Sequence, residues 1–154
     1  CHRAGINFEI MAHTGEYAGR SSDAEYKVNI YQIKSLDQPW NSHAKETLSC
    51  IKGGGGNLDG HTMQFYRKRL DASKCTDKIM FYFTDGKMPG ANRANERPIL
   101  ERELKLCKQR GYHVVGVGIG TDSPKEYGMD TVIVRSANDI GDVLDRLATK
   151  FRKS

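Results

Sequence analysis

Two stretches near the start of the chain alternate apolar with polar side chains, the signature of half-buried strands. INFEIMAHTG at 6–15 lies between Gly5 and Gly15 and predicts a first strand. In EYKVNIYQIKSL at 25–36, Tyr26, Val28 and Ile30 alternate with Lys27 and Asn29, as in an edge strand with one solvated face. DQPWN at 37–41 makes a turn, and SHAKETLSCI at 42–51 predicts a short helix whose N-terminus resembles a capping box built on Ser42 with Lys45 or Glu46. A run of glycines ends it. From His61 to Leu70 the period turns helical again, through Met63, Tyr66 and Leu70, so that a helix starts directly after Asp59 and Gly60.

The second half reads differently. IMFYF at 79–83 is apolar throughout and flanked by charge, which predicts a strand buried on both faces of a parallel sheet, stopping at Thr84-Asp85-Gly86. A helix from about Asn95 to Arg110 follows, with Ile99, Leu100, Leu104 and Cys107 in period and Gly111 as its C-cap. HVVGVGIG at 113–120 predicts another buried strand, TDSPKEYG at 121–128 a turn, and TVIVRS at 131–136 a short strand. The last helix, 138–151, keeps Val143, Leu144, Leu147 and Phe151 on one face, with Asn138 or Ser136 as its cap. Strands alternating with helices predict an α/β fold with a parallel sheet.

Composition narrows the class without naming a function. A chain of 154 residues, 38% apolar and 28% charged, suits one globular domain spanning 1–154. No apolar stretch approaches the roughly 20 residues of a membrane span, and no leader follows Cys1, so a soluble protein is expected, in the cytoplasm. The cysteines at 1, 50, 75 and 107 show neither Cys-x-x-Cys nor zinc-finger spacing, and are expected as buried, reduced thiols. The net charge of +5 is scattered, apart from RKR at 67–69 and KFRKS at 150–154. Without aromatic interleaving or a recognisable motif, it favours a solvated face over a nucleic-acid groove.

Candidate chemistry gathers around KGGGGNLDGHT at 52–62. A Walker loop needs a lysine after its glycines, and here Lys52 precedes them; a dinucleotide fingerprint fails because Leu58 stands where the third glycine belongs. What remains is a flexible connection or a tight turn that aims Asp59. Asp85 follows an apolar strand, at the end where open α/β sheets collect ligands. Two carboxylates without a nearby thiolate or imidazole suit a hard cation such as Mg²⁺. Helix capping by Asp59 and an acid/base pair are the competing uses. His13 and His61 lie near the expected site, but no HExxH, nucleophile elbow or Cys/His dyad occurs.

DQPW at 37–40, NLDG at 57–60, TDGKMP at 84–89 and VGVGIGTDSPKEY at 115–127, in this order and spacing, resemble a von Willebrand factor A (VWA) domain. The Asn-x-Asp-Gly form at 57–60 resembles the CobT-like members, typified by the C-terminal domain of the CobT subunit of aerobic cobaltochelatase. The resemblance implies a Rossmann-like three-layer fold: a mostly parallel central sheet with an antiparallel edge strand. It also implies a metal-ion-dependent adhesion site in which Asp59 and Asp85 hold Mg²⁺ or another divalent cation. Gly56, Asn57, Gly60, Thr84 and Gly86 would shape the supporting loops. The family's Asp-x-Ser-x-Ser loop has no counterpart here, so the first strand, the first helix and the main metal loop are expected to be missing. Residues 6–13 and 79–83 would then lack a shared neighbour or pair directly. The loop DGKMP at 85–89 is also one residue longer than the Asp-Gly-x-Pro of relatives.

By resemblance the chain is a protein-interaction module without activity of its own. Its partners would be an AAA+ ATPase of the CobS or MoxR type and a large chelatase subunit or other protein target, in ATP-dependent cobalt insertion during cobalamin biosynthesis. The alternatives are an adaptor for another AAA+ remodelling system and a metal-dependent hydrolase using Asp59 and Asp85. A nucleic-acid binder would instead show steeply salt-dependent affinity.

Overall fold

A computed structural model describes residues 5–18, 25–86, 90–136 and 139–151. The chain divides into two compact units, 1–56 and 57–154.

The first unit is an antiparallel pair followed by a helix. Strand β1 (Ile10–Ala18) pairs with β2 (Glu25–Lys34), and the register shifts between Ile10 and Met11. β1 therefore starts later than the alternation suggests and runs past Gly15. Buried Lys34 explains how residue 8 is held outside the strand: its ammonium donates to the Phe8 carbonyl at 2.6 Å and lies over the Phe8 ring, which meets Trp40 edge-on. Helix α1 (Ser42–Ser49) is capped by Asn41, whose Oδ1 accepts from the Ala44 N–H, rather than by Ser42. Asn is as good an N-cap as Ser, and here its extended backbone sets the geometry.

The second unit alternates helices and strands in the order α2 (Asp59–Ala72), β3 (Ile79–Thr84), α3 (Gly90–Gln109), β4 (His113–Ile119), α4 (Ser123–Glu126), β5 (Asp130–Val134) and α5 (Asp139–Phe151). β3, β4 and β5 form a parallel sheet in that order. Its core is Met63, Tyr82, Leu100, Tyr127 and Met129, with Tyr66, Met80, Leu104 and Val114 packed around them. Each such side chain contributes about 1.5–3 kcal/mol when fully buried. α2 and α3 lock together through buried ions: Arg67 Nε bonds Glu103 Oε2 at 2.5 Å, and Arg67 also reaches Asp71. The fold is thus α/β, with a parallel sheet of three strands and a separate antiparallel pair.

The strands form two sheets: no described strand bonds to both β1 and β3, so the first and third strands lack a shared neighbour, the first of the two expected outcomes. Among the described residues, β1 has β2 on one side and only the Gly15–Gly56 bridge on the other, and β3 bonds β4 alone. Several expectations need correction. β3 is not uniformly buried, since Phe83 is exposed. α3 begins at Gly90, five residues before the predicted start, and carries Pro98 inside it at the cost of one helical hydrogen bond. The predicted turn at 121–128 contains α4. Cys50 and Cys75 are exposed, and of the described cysteines Cys107 alone is buried; the first two lie at helix-end loops where no apolar stripe turns them inward. Asn138, Cys1 and the loop residues 87–89 fall outside the described residues. No helix among the described residues is long and apolar enough to cross a membrane.

Candidate functional site

The glycine run is only partly slack. Gly53 and Gly54 have open space around them, whereas Gly56 exchanges both backbone hydrogen bonds with Gly15, at 2.7 and 2.8 Å. Gly55 takes φ +77°, and a Cβ there would sit 3.1 Å from the Gly15 carbonyl oxygen. Residues 55 and 56 thus hold a defined conformation, and a side chain at 55 would obstruct it.

Directly after that turn, Asp59 opens α2 as a buried residue, 3% exposed. It does not cap the helix: the N-cap is Leu58, without a side-chain cap bond. Instead its Oδ1 accepts from the hydroxyl of Tyr82, in the middle of β3, at 2.5 Å. Burial pushes the Asp59 carboxyl up from its ordinary value; the Tyr82 hydrogen bond opposes this, and the charges of Glu96 and Asp85 add to it. Tyr82 is pushed well above the ordinary phenol value by its own burial and by the Asp59 charge.

Asp85 lies just past the end of β3, exposed, and accepts from Asn57 Nδ2 at 3.2 Å. That bond joins the loop before α2 to the loop after β3, which brings the two predicted carboxylates into each other's field. Thr84 Oγ1 accepts from the Gly86 N–H at 3.0 Å. Gly86 has φ +71°, and a Cβ on it would overlap the side chain of Ser123. The same close approach recurs on β4, where a Cβ on Gly116 would lie 2.6 Å from Pro124 Cβ, so glycine lets the 121–124 segment lie against the strand.

Sequence reasoning missed Glu96. It is fully buried, and its Oε2 accepts from the N–H groups of Gly60 at 2.8 Å and His61 at 3.1 Å, while Oε1 meets His61 Nδ1 at 2.5 Å. A carboxylate from α3 thus satisfies first-turn donors of α2 that no local side chain reaches, and complements the positive end of the helix. Gly60 permits the approach, since a Cβ there would stand 2.5 Å from the Glu96 carbonyl oxygen. A readable signal existed: Glu96, Leu100, Glu103 and Cys107 follow helical spacing, and all are buried, so acids sit on the inward stripe of α3. His61 therefore belongs to this pair, and His13, on β1, has its pKa lowered by burial.

A divalent cation is the group that the VWA resemblance implies. Asp59 and Asp85 suit it in donor chemistry, since both are hard oxygen ligands, and mutual repulsion among Asp59, Glu96 and Asp85 is relieved by positive charge. One turn into α2, the Thr62 hydroxyl is fully buried and has no hydrogen-bond partner among the described residues. No group of three His, Cys, Asp or Glu side chains with metal-binding geometry occurs among the described residues. Elsewhere, a cleft of about 410 Å³ in the first unit is lined by neutral or uncharged groups such as Gln32, Gln38, Asn41 and Thr47, with no predicted site residue among them.

Compared with known proteins, the chain matches no family model, no curated protein and no solved structure.

Proposed function

We propose that the chain is a metal-dependent protein-interaction module of the VWA type, with a Rossmann-like layout and a CobT-like character, that couples an AAA+ ATPase to a chelatase subunit or another protein target. One observation carries the reading: Asp59 and Asp85, far apart in sequence, lie within each other's field beside the end of β3.

In this reading Asp59 and Asp85 hold Mg²⁺ or a similar divalent ion. The bound ion supplies an open coordination position for a carboxylate of the partner. The chain's own residues do the positioning. Tyr82 holds the Asp59 carboxylate by its hydroxyl, Asn57 donates to Asp85, and Glu96 anchors the first turn of α2, which Asp59 opens. Gly86 lets the Asp85 loop rest on the 121–123 segment. The work in such an assembly comes from ATP hydrolysed by the partner, with cobalt insertion in cobalamin biosynthesis as the process that the CobT likeness suggests.

Calorimetric titration of Mg²⁺ into the wild-type chain and into Asp85→Ala tests this. Saturable binding that disappears in Asp85→Ala is expected; equal heats from both chains would remove the metal reading. Turnover of phosphoesters dependent on both aspartates would replace the module with a hydrolase.

A further inference from the structure

The register of the first unit fixes which way the β2 backbone faces. Gly15 gives both its N–H and its C=O to Gly56, so its backbone points away from β2. Its partner in the ladder is Val28, and in an antiparallel pair two opposed residues turn their backbone groups either toward each other or both away. Val28 therefore faces outward. The register runs without a shift from Met11–Gln32 to Ala18–Glu25, so Ile30 and Gln32 face outward with it.

That edge is long, and its middle carries neither a bulge nor a buried charge. β2 has ten residues, no proline, and no strand on its outer side among the described residues. Proteins that keep such edges solitary shorten them, bulge them, or place prolines and inward charges on them; here the one bulge, at Ile33, and the one buried charge, Lys34, both fall at the last two residues of β2, beyond the stretch from Lys27 to Tyr31. Lys27 and Gln32 are exposed, and Tyr31 is 53% exposed despite its size.

We propose that β2 is a self-association edge, pairing antiparallel with β2 of a second copy about a two-fold axis at Asn29, to give a continuous sheet ordered β1-β2-β2-β1. A two-fold axis requires a self-complementary strand, and β2 is one. With the axis at Asn29, Val28 exchanges backbone hydrogen bonds with the partner's Ile30, and the two half-buried aliphatic side chains meet. Lys27 then stands opposite the partner's Tyr31, an ammonium against an exposed ring, and the pair occurs twice. No like charges face each other. A small edge interface of this kind gives a weak, concentration-dependent dimer.

Sedimentation equilibrium on the chain over a concentration series measures the association, and amide hydrogen exchange on the same samples locates it. The dimer fraction rises with concentration, and exchange at Val28 and Ile30 slows in step. Tyr31→Lys sets two lysines opposite each other at both ends of the strip and raises the dimer Kd about tenfold. Tyr31→Glu, which meets the partner's Lys27, leaves the Kd unchanged or lowers it. Tyr31 is exposed and opposes only Ala12 across its own ladder, so both variants keep the β1–β2 pair, as circular dichroism will confirm. A chain that stays monomeric up to about 1 mM overturns the proposal. So does a dimer that leaves those two amides unprotected, or one that responds alike to lysine and glutamate at position 31.

Discussion

Asp59 and Tyr82 allow two near-isosteric substitutions with opposite expected signs. Tyr82→Phe removes the donor while leaving a buried carboxylate behind. Hydrogen bonds to charged groups contribute about 1.5–3 kcal/mol, and at roughly 2–4 °C per kcal/mol for a chain of this size the midpoint falls by about 3–12 °C. Asp59→Asn keeps an oxygen to accept from the Tyr82 hydroxyl but removes a charge that burial, Glu96 and Asp85 all disfavour. This variant is as stable as wild type or more so at neutral pH in EDTA. Its pH dependence has a definite sign. A carboxyl whose pKa is raised on folding binds its proton more tightly in the native state, so wild type loses stability as pH rises from the ordinary value of 3.8 through the folded pKa. The advantage of Asp59→Asn is therefore full above that window and vanishes below it. Urea unfolding followed by circular dichroism at neutral pH and near pH 4 measures both effects. If Asp59→Asn destabilises at neutral pH as much as Tyr82→Phe does, Asp59 is a structural acceptor and not a strained, functional acid.

Glu103→Ala leaves the nearly buried Arg67 guanidinium with Asp71 as its remaining carboxylate and costs about 3 kcal/mol, the lower end for a broken buried pair, whereas replacing both partners by Arg67→Met with Glu103→Leu costs less; chemical denaturation of the two variants compares them. Cys107 is buried, with its thiol pushed up to about 11 by that burial. It resists iodoacetamide in the native chain at neutral pH, while exposed Cys50 and Cys75 react, as peptide mass mapping will show. Labelling of all three at similar rates would contradict the burial.

Much of the element order was legible. IMFYF as a continuous apolar run, HVVGVGIG as a second buried strand and TVIVRS as a short strand, alternating with helices, announced a parallel sheet, and they became β3, β4 and β5 within one or two residues. Val28 and Ile30 marked β2 by alternation. Asp59 and Asp85 stood out because glycines and a strand end flanked them. These are local signals, set by side-chain period and by backbone freedom.

Partnership across the chain was not legible. Nothing near residue 59 in sequence says that Tyr82 will bond its carboxylate, because the donor comes from a strand that meets α2 only through packing. The spacing of Glu96 puts it on the inward stripe of α3, but its partners emerge only where Gly60 lets α3 close upon the first turn of α2, whose orphan N–H groups need an acceptor. Lys34 reads as the polar partner in an alternating strand, yet it is buried against Phe8 and bonds a backbone carbonyl. By itself the sequence determined the α/β succession and the two carboxylates, since period and glycine placement act over a few residues. Only the tertiary structure decided which buried polar groups satisfy which, because desolvation makes each seek a partner wherever packing brings one within reach.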